Sequence, residues 1–448
     1  MFKVILPFGA TMLNRNQFAL SVNKRFFYGW VMLGVGFAGL FASGPGQSFI
    51  FSIFLRPLVE ELDLTHTAIS LAYAVGTMTA SLLLPFVGRL VDKHGPRKMI
   101  VLISFMLGTT CLLFPLVMNV IALYFAFTAV RFFGQGSLML ASNNLVAQWF
   151  SRRRGIALSI ISLGFALGTA VYPPVVQWSI DTIGWRASWL WLGGLVWLLM
   201  IPATWLLVVN RPEDIGMKPD GDGGPSGDTV APVQSPAASD ELPLEHSWTR
   251  KEAMSTWTFW ILAIGLANPS AFITAVIFFQ IDYFKLQGLT EQMAANIFPI
   301  TGVSMAVFML LFGTLLDRFK TRMVASTAIF LMATTMWMLL FADTWPLAVV
   351  YAIVLGACQG SMMASFAYVW PRYFGRKHLG SIQGPASTVI IIGASLGPLP
   401  FGIAKDWLGG YHEAFLLFSL LPLVFSILVF NLKPLGPPPR VLAETKED

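Results

Sequence analysis

The sequence predicts an all-α membrane protein: twelve transmembrane helices arranged as two pseudo-symmetric six-helix bundles. Three observations carry that expectation. Of 448 residues, 56% are hydrophobic and the mean hydropathy is +0.68, whereas soluble domains hold about 45–50% apolar residues. The apolar residues gather into long runs, and about 20 such residues cross roughly 30 Å of hydrocarbon as a helix. These runs lack the alternation of a membrane barrel, so helices are the spanning option. Finally, the second half repeats the first at an offset of 225.

Residues 1–27 read as a cytoplasmic N-terminus, with only a short apolar piece at Val4–Ala10 and no secretory cleavage pattern. The first span covers 28–55 and the second 68–88. Between the second and third lies "VGRLVDKHGPRK" at 87–98, a knot of charge in a chain only 12% charged. Gly88 reads there as a small residue where helices crowd, with Asp92, Gly95 and Arg97 beyond it. The third span covers 99–118 and the fourth 121–148. Arg131 in the fourth is the one ionisable residue well inside any span, which makes it a functional candidate by default. It reads either as a fixed charge attracting an anion or as a structural arginine bonded to backbone carbonyls or to Gln135 and Asn143.

The fifth span, 156–180, and sixth, 187–209, complete the N-terminal bundle, 28–209. Gly164 and Gly168 in the fifth read as close-packing positions, as do Gly393 and Gly397 in the eleventh. Residues 210–256 are rich in Gly, Pro, Ser and Asp and predict a disordered cytoplasmic linker. The C-terminal bundle, 257–432, holds spans at 257–281, 292–316, 323–341, 345–371, 379–404 and 413–432, before a cytoplasmic tail at 433–448. At the repeat offset, Leu64 and Thr65 meet Leu289 and Thr290, Gly88 meets Gly313, Asp92 meets Asp317 and Arg97 meets Arg322.

Charge orients this plan. If successive loops alternate sides, 24 of the 29 Lys and Arg fall on one face and four on the other: Arg56, Arg186, Lys285 and Lys405. That asymmetry is the positive-inside pattern and predicts both termini in the cytoplasm. The net charge of +6 is thus a topology signal, and no nucleic-acid partner is expected. Cys111 and Cys358 fall inside spans and read as small core hydrophobes, with no metal site implied.

The loop "G-R-L-V-D-K-H-G-P-R-K" at 88–98, with its copy "G-T-L-L-D-R-F-K-T-R" at 313–322, resembles the signature loop of the major facilitator superfamily. The stretch 28–58 and "AQWFSRRRGIALSI" at 147–160 resemble the monocarboxylate porter and oxalate–formate antiporter groups. The eighth and eleventh spans carry no charge, where those groups often hold a basic residue. The resemblance implies the major facilitator fold, alternating-access transport and a path lined by the first, fourth, seventh and tenth spans. That favours Gln47, Asn143, Asn268, Gln359 and Tyr368 as solute contacts beside Arg131. It also implies that Asp92 latches the two halves on the cytoplasmic face.

The expected function is secondary active or facilitative transport of a small organic solute, of monocarboxylate-anion type. The expected setting is a bacterial inner membrane, with the chain acting as a monomer. No cofactor is expected, beyond a coupling ion such as H+. Without Asp, Glu or His in the core, proton coupling is left to Arg131 with solute or to helix-end acids such as Asp282. Export of apolar or cationic compounds is the alternative, permitted by 37 Phe, 20 Met and 15 Trp. A transporter-like nutrient sensor, binding solute without net flux, is also allowed. A membrane enzyme is disfavoured, because no paired acid or Ser–His set lies within the spans and no phosphate-binding loop is present.

Overall fold

The computed structural model describes residues 17, 19–23, 26–151, 153–221, 248–375, 378–433 and 435. Among them every regular element is helical, and eleven helices are long and apolar enough to cross a membrane. The first expected span differs: it is two shorter helices, α1 (Gly29–Ala42) and α2 (Ser48–Leu62), joined through a 3-10 turn at Gly44–Gly46. Pro45 has no N–H to continue a helical ladder, and Gln47 is extended at φ −94°, ψ 153°.

The N-terminal bundle continues with α3 (His66–His94) and α4 (Pro96–Leu113). Next comes α5 (Val120–Val130), which passes through wide π-turns at Arg131–Leu138 into α6 (Met139–Trp149). Then follow α7 (Arg154–Ile183) and α8 (Trp185–Leu207). The C-terminal bundle opens with a short α9 (Arg250–Met254) and contains α10 (Trp257–Leu286), a one-turn α11 (Glu291–Ala295) and α12 (Ile297–Arg318). It ends with α13 (Thr321–Leu340), α14 (Trp345–Phe374), α15 (Leu379–Leu396), α16 (Pro398–Leu408) and α17 (His412–Phe430).

Several helices outrun their apolar runs. The second was expected to end at 88 and reaches His94, where Gly95 at φ 81° stops it. Polar residues at these ends keep the helical ladder because they reach water beyond the hydrocarbon. The expected linker, 210–256, is partly ordered where it leaves each bundle. Asp220 accepts from the backbone N–H groups of Ser151 and Arg153. Thr249 and Glu252 form a capping box on α9, and the Trp248 N–H donates to the Phe374 carbonyl. The middle of that linker, 222–247, and most of both terminal segments lie outside the described residues.

The offset repeat has a physical form. Thr65 caps α3 by accepting from the Ala68 N–H at 3.1 Å, and Thr290 caps α11 by accepting from the Met293 N–H at 3.2 Å. Arg97 donates to the Trp205 carbonyl, holding α4 to the end of α8, while Arg322 donates to the Leu432 carbonyl, holding α13 to the chain after α17. Glycine packing repeats too. A Cβ on Gly164 would sit 2.3 Å from the Phe37 carbonyl oxygen, and one on Gly397 would sit 2.1 Å from that of Ala271. Gly164 thus lets α7 lie against α1, and Gly397 lets α15 and α16 lie against α10.

Gly88 does not fit this role. A Cβ there, or at Gly313, would meet nothing within 4 Å, so helices do not crowd at the basic end of α3.

Candidate functional site

The halves meet at the end of the molecule away from the basic loops. There the Arg56 guanidinium of α2 faces two acids of the other half: Nη1 is 2.5 Å from Glu291 Oε1 and Nε is 3.6 Å from Asp282 Oδ1. His66, the first residue of α3, lies between Asp282 (3.6 Å from Nε2) and Asp406 (3.2 Å from Nδ1). The Asp406 carboxylate also accepts from the backbone N–H groups of His66 (3.2 Å) and Thr67 (2.7 Å). A side chain of α16 thereby caps a helix of the opposite half, where orphan N–H groups and the helix dipole favour an anion. Tyr411 completes the cluster. Burial and the neighbouring Asp282 carboxylate hold its phenol well above the usual range, so it stays protonated and donates to Asp282 at 2.7 Å.

Apolar contacts extend this seam inward. The Tyr73 and Phe278 rings are 4.8 Å apart between centroids. A Cβ on Gly402 would be 2.9 Å from the His66 carbonyl, and one on Gly302 would be 2.8 Å from that of Ala166. The four basic residues on the sparse face all have local partners. Arg56 and Lys285 pair with Glu291, Arg186 pairs with Glu61, and Lys405 donates to the Gly409 carbonyl.

On the basic-loop side of the seam lies a cavity of about 560 Å³ between the halves. Its polar lining is Gln47, Gln135, Asn143 and Ser162 from the first half and Ser270, Thr274, Gln359 and Ser387 from the second. The remainder is apolar, with Met139, Met305, Met362 and Met363 prominent, and no lining residue carries a charge. Gln47 sits at the break between α1 and α2, and its amide donates to Ser43 Oγ at 3.0 Å and contacts Met139 Sδ at 3.3 Å. The Asn143 amide donates back to the Met139 carbonyl at 2.9 Å. Gln359, on α14, is buried, and its Nε2 has no hydrogen-bond partner.

Three of the residues expected to contact solute, Gln47, Asn143 and Gln359, therefore line one cavity. Asn268 and Tyr368 are half-buried and are not among its lining residues. Neither is Arg131, which is 2% exposed and turned toward the break in the first span. Its Nε donates to Thr77 Oγ1 at 3.1 Å and its Nη1 to the Gly46 carbonyl at 3.1 Å, with Ser48 Oγ at 3.5 Å. The guanidinium also stands 4.8 Å from the centre of the Tyr73 ring. Breaking a helix inside a membrane frees carbonyls that need internal donors, and Arg131 supplies one. Its partners differ from the Gln135 and Asn143 weighed from sequence.

Of the loop residues, Asp92 is exposed, and no hydrogen bond or ion pair joins it to another described residue. It borders a small polar pocket with Asn144, Gln148, Asn210 and Arg211. The Asp317 side chain lies outside the described residues. Sequence reasoning missed Gln135, Ser270 and Thr274 in the cavity and Arg56, His66, Glu291 and Asp406 in the seam. The sparse face's four basic residues were the available signal, because a cation kept against the topological bias needs another reason to be there.

A family model described as Major Facilitator Superfamily matches residues 35–304 and 261–448. Monocarboxylate transporter 12 of Rattus norvegicus is 25% identical over 299 residues, covering 64% of this chain and 61% of that protein. The chain therefore spans about three fifths of that relative's length. Human monocarboxylate transporter 11 is 23% identical over 417 residues, covering 90% of this chain and 83% of that protein. Among solved structures, a bacterial homolog of the human lysosomal transporter Spinster, inward-facing and unoccupied, superposes with a TM-score of 0.68 at 15% identity. That alignment covers 90% of this chain and 96% of the other. The nucleoside transporter NupG superposes with a TM-score of 0.66 at 13% identity, over 91% of this chain and all of that one.

Proposed function

The chain belongs to the Major Facilitator Superfamily, and from that premise we propose that it carries a small organic solute of monocarboxylate type across a membrane by alternating access. The observation that carries this reading is the cavity. It lies between the halves, and both contribute polar groups to it: Gln47 and Asn143 from one, Gln359 from the other. A solute held by both can be passed from one side to the other when the halves rock about it. The monocarboxylate transporters among its relatives support the solute class.

With the basic loops in the cytoplasm, as the positive-inside pattern implies, the seam of Arg56, His66, Asp282, Glu291 and Asp406 closes the outer side and the cavity belongs to an inward-open state. In the same reading Asp92 acts in the opposite state, when the basic ends approach each other. The exposure of Asp92 and the open space around Gly88 support that reading.

Uptake into proteoliposomes, with a panel of labelled monocarboxylates and with or without an imposed pH gradient, tests the proposal. Saturable, protein-dependent uptake of at least one short monocarboxylate is expected. Efflux of a cationic dye with no monocarboxylate flux would overturn it in favour of an exporter, a reading that the methionine-rich lining makes worth including.

A further inference from the structure

The cavity poses a chemical problem for an anion. None of its lining residues is charged, Arg131 is not among them, and the Arg131 Nε and Nη1 groups donate to Thr77, Gly46 and Ser48. Several donors are also committed locally. The Ser162 hydroxyl donates to the Leu158 carbonyl and the Thr274 hydroxyl to the Ser270 carbonyl, beside the Gln47 and Asn143 bonds above. A carboxylate offers only acceptors, and an ion taken from water without a counter-charge is driven to neutralise instead.

Gln359 is the buried member of the uncommitted groups; Gln135, which also lines the cavity with no side-chain hydrogen bond among the described residues, is only half-buried. Gln359 is 8% exposed, lines the cavity and leaves its Nε2 without a partner. A glutamine side chain presents one carbonyl acceptor and N–H donors on the same planar group. Its complement is another planar group with one donor and one acceptor side by side. An undissociated carboxylic acid has that form, and so does a primary carboxamide, whereas a carboxylate does not.

We propose that Gln359 takes the solute's head group as a neutral donor–acceptor pair, so that a short carboxylic acid occupies the cavity undissociated and the corresponding carboxamide is an equivalent ligand. The apolar body of the solute then lies against the methionines and against Phe165 and Phe366. The balance is simple: a carboxylate and a proton combine in water to give the acid, the acid is bound, and the two separate again in water after release. No side chain of the cavity has to titrate, in keeping with the absence of Asp, Glu and His from its lining. This inference rests on the monocarboxylate-type reading above and narrows it to one protonation state.

The test is equilibrium binding to the full-length protein in lipid nanodiscs, with three radiolabelled probes of similar size: butyric acid, butyramide and propane-1-sulfonate, between pH 5 and 8. Butyramide affinity should not change with pH. Butyric acid should weaken about tenfold per pH unit above its own pKa of about 4–5, because only the neutral fraction binds. The permanently charged sulfonate should not bind, and Gln359→Leu should weaken butyramide about tenfold or more. Sulfonate binding, butyric acid bound as tightly at pH 8 as at pH 5, or unchanged butyramide affinity in Gln359→Leu would each overturn the proposal while leaving an anion carrier standing. Failure of all three probes to bind would overturn the monocarboxylate reading along with it.

Discussion

Arg56 Nη1 stands 2.5 Å from Glu291 Oε1, and this pair ties the end of α2 in one half to the start of α11 in the other. Asp282, 8% exposed at its side chain, shares the same guanidinium. Replacing Arg56 by Ala removes the cation shared by the two carboxylates and leaves Glu291 with Lys285 and Asp282 with His66 and Tyr411. The partial exposure of Arg56 limits the cost to about 1–3 kcal/mol, or roughly 5–150-fold in the closed-to-open ratio. Arg56→Ala should therefore open the seam, read as faster thiol labelling of a cysteine placed at Ser52, which packs behind it and accepts from the Ile281 N–H.

Asp406 acts on the same equilibrium by another route. It caps α3 from across the seam, so Asp406→Ala removes an acceptor for two orphan N–H groups. A lost cap costs about 0.5–2 kcal/mol. Thr65 still caps the same helix through the Ala68 N–H, so α3 should keep its length. The expected result is faster labelling of the Ser52 cysteine with unchanged helical circular dichroism.

Arg131 separates two accounts by a thermal measurement. As the donor to the Gly46 carbonyl and Thr77 it holds the break in the first span. Lysine carries its three N–H donors on one nitrogen and cannot place donors where both Nε and Nη1 of the guanidinium stand. Arg131→Lys should lower the melting temperature along with uptake, by about 2–4 kcal/mol of stability. Uptake lost with an unchanged melting temperature would instead make Arg131 an anion site.

Gly46 gives a steric counterpart. A Cβ there would fall 2.4 Å from the Val130 carbonyl oxygen and 3.0 Å from Gly134 Cα, both backbone atoms that cannot turn away. Gly46→Ala should destabilise by about 1–3 kcal/mol. Gly88→Ala, whose Cβ would meet nothing within 4 Å inside a helix, should not lower the melting temperature and should raise it slightly.

The sequence made the helices legible because hydrocarbon leaves a helix no alternative, and the offset of 225 anticipated matched features such as the Thr65 and Thr290 caps. It did not show that the first span is broken. Gly44, Pro45 and Gly46 allow the break, but the donor that stabilises it, Arg131, lies 85 residues away. Gln47, Asn143 and Gln359 could be named as cavity residues because the family resemblance singled out polar residues on the first, fourth, seventh and tenth spans. Asn268 and Tyr368 satisfied the same rule without reaching that lining, since helix rotation decides which face is inward and these uniformly apolar runs carry almost no directional signal. The seam was least legible. Its members stand at helix ends, where charge is ordinary, and only the approach of the two halves gives Arg56, His66 and Asp406 their partners.

The central claim, that the seam and the basic end open alternately around one cavity, is tested by paired distance measurements between spin labels. One pair is placed at Thr182 and Trp407, both exposed on opposite halves at the seam end, and a second at Lys93 and Phe319 near the basic end. The buried Cys111 and Cys358 are first replaced. The account predicts a short seam-end distance and a long basic-end distance in the wild-type chain, with Arg56→Ala lengthening the first and shortening the second. Distances that stay fixed in Arg56→Ala while uptake continues, or that lengthen together at both ends, would contradict it.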